Sequence, residues 1–300
     1  MTPSAVRIAC HAKTNIFLRV LAREADGFHG VETLFCLLGL ADELVVERRE
    51  GHEITIDTGG MDLGPDADNL AVRAAAAVLE ATRRRFGVHL ALTKRIPVRA
   101  GLGGGSSNAA ATLFAVNHLA DNMIPRHELL QMAARLGSDV PFFVSGGPCA
   151  LAWGHGERML RLPPLPSAPA LLLIPSIGVA TADAYRWVDQ ARMAGGGRGA
   201  VALDLDALSS WGSVGRMAGN EFESAVFGHH AEIRSAFEAM TGTHPLLCRM
   251  SGSGSAIFAV YRSVRERDDA KMMLSPKLGR TIVTETVAST PLGPEGIVPA

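Results

Sequence analysis

The stretch from Ile96 to Asn117 combines the residue types that bind a phosphate group. It is IPVRAGLGGGSSNAAATLFAVN, with four glycines and two serines directly before an apolar helical pattern. The first N–H groups of a helix have no partner within the helix, and the helix dipole adds positive potential there. Glycines let these N–H groups approach an anion closely, because no Cβ intervenes. The pattern therefore predicts a phosphate site at the start of a helix.

Two common phosphate-binding motifs do not fit this stretch. A Walker P-loop needs a lysine after its last glycine, and no lysine follows Gly105. The dinucleotide fingerprint G-x-G-x-x-G also fails, because Ser106 or Asn108 stands where its last glycine belongs. A plain strand-to-helix turn needs one or two glycines rather than four. What remains is the pattern P-x-x-x-G-L-G-G-G-S-S.

Two charged side chains in other segments could act on a ligand held at that loop. Lys13 lies within an apolar strand pattern, where a lone ammonium is costly to bury and needs an anionic partner. Asp139 follows a helix end and stands on a turn, where a carboxylate can accept or orient a proton. From the residues alone, a snorkelling lysine and a solvated loop aspartate stay open as alternatives.

These residues need strands and helices to position them. Residues 6–23 are predicted as one or two strands with a break near His11–Asn15, and residues 43–60 as a hairpin. A helix is predicted over 68–87, capped by Asp68 or Asn69 and closed by Gly87. Further predictions are strands at 88–97 and 256–261, a strand pair after Gly147, and helices at 106–120, 125–137, 232–240 and 264–274.

The order of these elements favours an α+β fold, because strands and helices do not alternate strictly. The pattern of the sequence changes near residue 160, which predicts two domains, residues 1–160 and residues 161–300.

Composition limits the function classes. The chain has 300 residues, of which 47% are hydrophobic and 20% charged, as is usual for a globular protein. The formal net charge of −1 gives no reason to expect a nucleic acid or a membrane as partner. The four cysteines show no metal or disulfide spacing, and the N-terminus does not look like a signal peptide. We therefore expect a cytoplasmic protein.

The glycine stretch resembles the ATP-binding motif of the GHMP kinases. Three further segments are similar to that family, and they extend the resemblance over most of the chain: AKTNIFLRV (12–20), LGSDVPFFVSGG (136–147) and RMSGSGSAIFAVY (249–261). The resemblance implies a two-domain α+β kinase, with an N-terminal domain like ribosomal protein S5 domain 2 and a ferredoxin-like C-terminal domain. It also implies ATP and Mg²⁺ as cofactors.

The same resemblance implies roles for individual residues. Lys13 and Asp139 would be catalytic and would form a charge pair that keeps both ionised, and Asn15 would contact the substrate. The nucleotide would be bound by Pro97, Gly101, Leu102, Gly103, Gly104, Gly105, Ser106, Ser107, Asn108, Lys94, Asn69 and Leu70. The protein ligands of Mg²⁺ stay open, with Ser107 as a candidate contact.

The segment ADGFHGVETLF (25–35) is similar to one branch of the family, whose substrate is a cytidyl diphosphate of a small sugar alcohol. That similarity implies that Phe28 stacks on the cytosine and that His29 hydrogen-bonds to it. The branch more often has tyrosine where this chain has Phe28, and a larger residue at Gly30. Stacking survives the first change, but a contact through a phenol oxygen would be absent.

Two later segments resemble the same branch. In PSIGVATADAYRWVD (175–189), Thr181 would cap a helix and contact the substrate, and Tyr185 would close the other face of the cytosine. A tyrosine that only packs the helix stays open as an alternative. In AGNEFESAV (218–226), Glu221 stands where aspartate is commoner, and we interpret it as structural support near the site.

The expected activity is ATP-dependent phosphorylation of the 2-hydroxyl of this cytidyl diphosphate substrate, a step of the non-mevalonate route to isoprenoid precursors. The chain would act as a monomer or a weak homodimer. Two alternatives stay open: another GHMP kinase that acts on a different small alcohol, and a paralogue that binds nucleotide without catalysis.

Overall fold

The structure is a computed structural model that describes residues 4–25, 27–83, 86–193, 204–289 and 296–300. Asp26, in the segment that resembles a cytidyl site, lies outside this part of the chain. Two β-sheets with helices packed against them make up the described fold. None of its helices is both long and apolar enough to cross a membrane.

The first sheet is built around two long antiparallel strands. Its strands in chain order are β1 (Ala5–Arg23), β2 (His29–Arg49), β3 (Ile54–Asp57), β4 (Gly87–Thr93), β5 (Cys149–Gly154) and β6 (Arg158–Arg161). The main order is β1-β2-β4-β3, and β5 pairs with β2 and with β6. The helices of this half are α1 (Leu70–Ala81), α2 (Gly104–Leu119), α3 (Arg126–Leu136) and α4 (Val140–Ser145). They pack against one face of the sheet around a core of alanine, valine, leucine and phenylalanine side chains.

The predicted hairpin at 43–60 is wrong. β3 does not pair with β2 but lies parallel to β4, which separates the two. Parallel strands need a crossover, and α1 supplies it between β3 and β4. A sequence pattern of two neighbouring strands does not reveal that a third, distant strand comes between them.

The helix predicted over 68–87 is shorter in the structure. Asn69 caps it as expected, because its Oδ1 accepts the N–H of Ala71 at 3.0 Å. The helix ends at Ala81, and Gly87 is instead the first residue of β4. A Cβ on Gly87 would lie 2.6 Å from the Glu53 carbonyl oxygen, so this glycine allows a close strand approach and does not end a helix.

The second sheet has four antiparallel strands in the order β11-β7-β10-β9. These are β7 (Pro169–Ile174), β9 (Leu247–Met250), β10 (Ile257–Val260) and β11 (Arg280–Glu285). Its helices are α5 (Thr181–Met193), α6 (Trp211–Met217), α7 (Phe222–His229), α8 (Ala231–Thr241) and α9 (Val264–Met273). Helices connect the first strand to the second and the third to the fourth, and the spatial order is 4-1-3-2. This is the ferredoxin-like arrangement, so the expected fold of the second half is confirmed.

The two sheets pack against each other. Along β7, Ala170 and Leu172 face a cluster that includes Ile16 of β1. Leu171 and Leu173 face the helices of the second half, as the two-residue period of a strand requires. Three short 3₁₀ helices complete the described elements, at Asp66–Asp68, Leu205–Ser209 and Pro276–Leu278.

Two short strands from the second half join the first sheet. They are β8 (Gly219–Asn220) and β12 (Val298–Pro299), and both pair with β1. The chain leaves the first sheet after β6 and enters the second sheet at β7. β8 and β12 come later in the chain but belong to the first sheet, so the two sheets do not divide the chain at a single residue. The division into residues 1–160 and 161–300 stays a prediction.

Candidate active site

Two irregularities in β1 set the direction of its polar side chains. The pairing with β2 shifts register between His11 and Lys13, and again between Asn15 and Phe17. Such bulges twist a strand locally and re-aim its side chains. β1 is one continuous strand, and the predicted break corresponds to these two bulges. At the first bulge the N–H of Lys13 donates to the Leu102 carbonyl at 3.0 Å, which ties β1 to the glycine loop.

Lys13 is buried and held by oxygen acceptors. Its Nζ lies 3.2 Å from Asp139 Oδ2 and donates to Asn15 Oδ1 at 2.9 Å. Asn15 Nδ2 in turn donates to Thr33 Oγ1 at 2.7 Å, and that hydroxyl donates to the Phe17 carbonyl at 2.8 Å. The expected charge pair of Lys13 and Asp139 is therefore present. Because an ammonium has three donors, these two acceptors leave one for a ligand.

Asp139 stands on a tight turn directly before α4. The N–H of Val140 donates to the Gly137 carbonyl at 3.1 Å, which closes the turn between α3 and α4. Gly156, in the β5–β6 turn, packs so closely that a Cβ there would collide with the Ser138 carbonyl oxygen. The backbone that carries Asp139 is thus held on both sides, while 32% of the Asp139 side chain stays exposed.

The glycine loop, residues 101–105, packs between β1 and the segment after β9. Gly101 and Gly103 have φ of +78° and +69°, a region that strains other residues. A Cβ on Gly101 would collide with the Ser251 carbonyl oxygen, and one on Gly103 would lie 2.8 Å from Lys13 Cγ. Ser251 Oγ donates to the Gly101 carbonyl at 2.9 Å. α2 begins at Gly104, two residues before the predicted start at Ser106.

A cleft of about 340 Å³ opens at this loop, and we call it the glycine-loop cleft. Its walls contain every residue that the sequence assigned to a nucleotide except Ser107: Asn69, Leu70, Lys94, Pro97, Gly101, Leu102, Gly103, Gly104, Gly105, Ser106 and Asn108. Leu63 and Val98 add apolar surface that the sequence did not indicate. The N-terminus of α2 and the apolar wall together suit a flat ring that carries phosphates.

Ser107 does not line this cleft. Its side chain is fully buried, and its Oγ has no hydrogen-bond partner within the described residues. Ser106 lines the cleft instead. A role of Ser107 as a ligand contact stays a prediction, and the exposed hydroxyl at the loop is that of Ser106.

A buried carboxylate that the sequence did not indicate lies beneath the wall of the glycine-loop cleft. Asp42 is 1% exposed and accepts the N–H groups of Arg95 at 2.7 Å and Ile96 at 2.8 Å. It also pairs with Lys94 and accepts from Asn108 Nδ2 at 3.0 Å. Lys94 donates in addition to Asn108 Oδ1 at 3.0 Å. Asp42 therefore holds two things in place: the backbone at Arg95 and Ile96, which leads into the glycine loop, and the Lys94 ammonium in the cleft wall.

A second cavity, of about 360 Å³, borders the same loop, and we call it the Lys13 pocket. It contains Lys13 and Asp139 together with all five residues predicted to bind a substrate: Asn15, Phe28, His29, Thr181 and Tyr185. Gly101, Gly103 and Ser106 line both cavities. The glycine loop is therefore a shared boundary between the two cavities.

The predicted cytosine-binding residues differ in their surroundings. Phe28 is 59% exposed, and its ring stacks on His155 with centroids 5.1 Å apart. His29 is buried, stacks on Tyr185 with centroids 5.0 Å apart, and lies with Nε2 2.8 Å from Asp189 Oδ1. Each ring thus already stacks on one aromatic partner, and Phe28 is the more exposed of the two.

α5 brings Thr181 and Tyr185 to the Lys13 pocket. Thr181 is the first residue of α5, and its hydroxyl lies 3.1 Å from Ser253 Oγ. Its role as a helix cap stays a prediction. Tyr185 sets its ring edge against Phe222, at a centroid distance of 4.9 Å. Burial, with a smaller contribution from the Asp139 carboxylate, raises the pKa of the Tyr185 hydroxyl to about 12. The phenol therefore stays protonated and neutral.

The segment after β9 is held by the residues before α7. Asn220 Nδ2 donates to the Met250 and Gly252 carbonyls, both at 2.8 Å. Glu221 accepts the N–H of Val20 at 2.6 Å and pairs with Arg192 at 3.0 Å. The interpretation of Glu221 as structural support is confirmed.

Sequence reasoning missed Asp42, His155 and Asp189. Asp189 follows Thr181 and Tyr185 at intervals of four residues, which places all three on one helix face, so its position carried a signal. His155 lies between two glycines in a turn, and Asp42 lies within a long strand. Neither pattern by itself indicates a site.

Comparison with known proteins agrees with this geometry. The family model of the GHMP kinases N terminal domain matches residues 69–147, and that of the GHMP kinases C terminal matches residues 204–275. A 4-diphosphocytidyl-2-C-methyl-D-erythritol kinase of Solibacter usitatus is 39% identical over 84% of this chain and 79% of that protein. The enzyme of the same name from Moorella thermoacetica is 38% identical over 93% of this chain and 98% of that protein. A crystal structure of 4-(cytidine 5'-diphospho)-2C-methyl-D-erythritol kinase superposes with a TM-score of 0.79 at 34% identity, over 93% of this chain and 98% of that one.

Proposed function

The chain belongs to the GHMP kinases, within the 4-diphosphocytidyl-2-C-methyl-D-erythritol kinases, and from that premise we propose how its residues divide the work. It is an ATP-dependent small-molecule kinase that phosphorylates the 2-hydroxyl of 4-diphosphocytidyl-2-C-methyl-D-erythritol. In our proposal ATP occupies the glycine-loop cleft, and the alcohol occupies the Lys13 pocket.

One observation carries this assignment. Gly101, Gly103 and Ser106 line both cavities, so the end of a triphosphate on the loop would face the second pocket. Phosphoryl transfer needs the donor and the acceptor oxygen side by side, and most of its catalysis is positioning plus electrostatic stabilisation. A loop that forms the boundary between two cavities supports that arrangement.

We assign the proton of the substrate hydroxyl to Asp139. Its carboxylate lies in the Lys13 pocket, and its Oδ2 is 3.2 Å from the Lys13 ammonium. A carboxylate in this position can accept or orient the hydroxyl proton as the oxygen attacks phosphorus. Lys13 has a donor left beside Asp139 and Asn15, and that donor would stabilise the negative charge that develops on the transferred group.

Backbone groups would bind the phosphates of ATP. The N-terminus of α2 directs unpaired N–H groups and positive potential into the cleft. Lys94 lies in the cleft wall, paired with Asp42 and Asn108, and its third N–H would be left for a phosphate oxygen. Asn69 and Leu70, at the start of α1, would border the adenine.

The residues at the loop fit a Mg²⁺ ion that keeps most of its water. No group of three His, Cys, Asp or Glu side chains in the described ranges could hold a metal by itself. The oxygens of Ser106 and Asp139 line the Lys13 pocket, and the buried Ser107 Oγ has no partner among the described residues. Mg²⁺ prefers such oxygen donors and is usually held by few protein groups together with phosphates. When bound, it would neutralise phosphate charge.

We also propose a cytoplasmic location and a monomer or weak homodimer. The first is supported by the four cysteines of the sequence, whose spacing fits neither a metal site nor a disulfide framework. Light scattering of the purified protein would test the second.

The function is tested by ADP release with Mg-ATP and four alcohols: the cytidyl substrate, galactose, homoserine and mevalonate. We expect turnover with the cytidyl substrate alone. Turnover with another alcohol only would support the first alternative, a different small-molecule kinase, and would overturn the cytidyl assignment. ATP binding without ADP release from any alcohol would indicate the non-catalytic paralogue.

A further inference from the structure

His29 enters the Lys13 pocket with one of its ring nitrogens already engaged. Its side chain is 7% exposed, and its Nε2 lies 2.8 Å from Asp189 Oδ1. Tyr185 stacks on the ring at an interplanar angle of 20°, which holds the plane of the imidazole. The ring is therefore fixed in both position and rotation.

The partner of Nε2 decides where the ring carries its proton. An ionised carboxylate can only accept a hydrogen bond, so Nε2 must be the N–H donor towards Asp189. In the neutral imidazole the other nitrogen, Nδ1, then carries a lone pair and can only accept. Within the described residues Nδ1 has no hydrogen-bond partner, and His29 lines the Lys13 pocket, so this acceptor is left for a ligand.

We infer that Asp189 is a positioning residue that fixes this tautomer of His29 and thereby makes the pocket select cytosine over uracil. The inference rests on the proposed function, because it assigns the cytidyl base to this pocket. Cytosine carries an amino group at its C4, which donates a hydrogen bond, whereas uracil carries a carbonyl oxygen there, which accepts. Nδ1, as an acceptor, can form a hydrogen bond with the cytosine amino group. With the uridyl analogue, Nδ1 and the C4 carbonyl oxygen are both acceptors and no hydrogen bond forms, which weakens binding.

Asp189 is not needed to dock α5. Arg192, three residues later, donates to the carbonyls of Val20 and Leu21 and pairs with Glu221. These contacts tie the same helix face to β1 independently of Asp189. Loss of the Asp189 charge should therefore change the chemistry of His29 without releasing the helix.

The tautomer is measured directly by ¹⁵N NMR of the imidazole nitrogens at about pH 8, above the ordinary pKa of histidine. The His29 signal is assigned from its absence in His29→Gln. We expect a protonated Nε2 and an unprotonated Nδ1 in the wild type, and a mixture of tautomers in Asp189→Asn, whose amide can either accept or donate. A wild-type ring with its proton on Nδ1, or with protons on both nitrogens, would overturn the inference.

Selectivity is measured by competition of CDP and UDP against the cytidyl substrate. We expect the wild type to prefer CDP, and Asp189→Asn and Asp189→Ala to reduce that preference by about tenfold with little change in kcat. Asp183→Asn is the matched control, because it removes the same charge from α5 at a residue paired with the exposed Arg186. It should keep the wild-type preference.

The two measurements separate the inference from the proposed function. An unchanged CDP preference in both Asp189 variants, with wild-type melting temperatures, contradicts the role of Asp189 in selectivity. If CDP does not compete even with the wild type, the cytidyl assignment of the pocket fails and the selectivity claim fails with it. The NMR result still decides whether Asp189 fixes the tautomer.

Discussion

The two cavities at the glycine loop are built in different ways. The glycine-loop cleft is lined mostly by one continuous stretch, residues 97–106, together with the first residues of α1 and Lys94. The side chains of the Lys13 pocket come from separate parts of the chain: β1, Phe28, β2, the turn before α4, the β5–β6 turn, α5, α7 and the segment after β9. The first binds mainly through backbone and shape, whereas the second depends on individual side chains.

This difference teaches where each kind of change should act. Backbone recognition is sensitive to added Cβ atoms and to whatever orders the loop, and it tolerates exchange of exposed side chains. Side-chain recognition is sensitive to single functional groups whose loss leaves the fold intact. The following changes test that division, from the largest expected effect to the smallest.

Asp139→Asn should give the largest loss of activity. The amide keeps the shape of the side chain but cannot take the proton, so we expect kcat to fall by about 10²–10⁴-fold. The substitution also removes the anionic partner of the buried Lys13, so the melting temperature is measured as well. The amide oxygen and Asn15 Oδ1 can still accept from that ammonium, so the KM values for both substrates should stay close to those of the wild type. Steady-state kinetics checks this, with Asp183→Asn as control. Near-normal turnover would rule out Asp139 as the group that handles the proton.

Asp42→Asn should act on the glycine-loop cleft. The Lys94 side chain is only 5% exposed, and the substitution leaves its ammonium buried without an anionic partner. We therefore expect the free energy of unfolding to fall by about 3 kcal/mol. The KM for ATP should rise while the KM for the alcohol stays constant. Urea unfolding and kinetics measure both. Asp62→Asn, on an exposed loop, is the control and should change stability by less than about 0.5 kcal/mol. Equal rises of both KM values would mean that Asp42 does not act selectively on this cleft.

Gly103→Ala should damage both cavities, because it combines a positive φ with a Cβ 2.8 Å from Lys13 Cγ. We expect a loss of about 1–3 kcal/mol in stability and a clear drop in kcat. Gly105→Ala is the matched control. Its Cβ would meet only Leu70 Cδ1 at 3.9 Å and its site is helical, so its stability should be unchanged or rise by up to about 1 kcal/mol. If both variants melt alike, the close approach at Gly103 has no energetic weight.

Phe28→Ala should have the smallest of these effects and should be confined to the Lys13 pocket. The ring is 59% exposed, so its loss should leave the melting temperature nearly unchanged. Loss of a stacked base should weaken binding of the cytidyl substrate by about 1–2 kcal/mol, with ATP binding unaffected. Calorimetric titration measures both ligands. Phe28→Tyr keeps the ring and is the control, and weakened ATP binding by Phe28→Ala would contradict the division between the two cavities.

The same division explains how much the sequence could predict. The glycine loop and the Asn69 cap follow from local patterns, and the structure bears them out. The pairing of Lys13 with Asp139 is also present, but only the family resemblance predicted it, because the residues alone left both side chains open to other roles. The parallel pairing of β3 with β4 depends on a strand thirty residues away, and no local pattern reveals it. Asp42 and His155 act only through partners that tertiary folding brings near. A site made from scattered side chains is therefore visible in the sequence only where a family pattern marks each residue.

The central claim, that the loop separates a bound ATP from a bound alcohol, is tested most directly by a crystal structure with a non-hydrolysable ATP analogue and the cytidyl substrate. We predict the γ-phosphate at the wall formed by Gly101, Gly103 and Ser106, with the substrate 2-hydroxyl oxygen about 3–3.5 Å from phosphorus and beside Asp139. A nucleotide in the Lys13 pocket, or a cytidyl group in the glycine-loop cleft, would contradict the account.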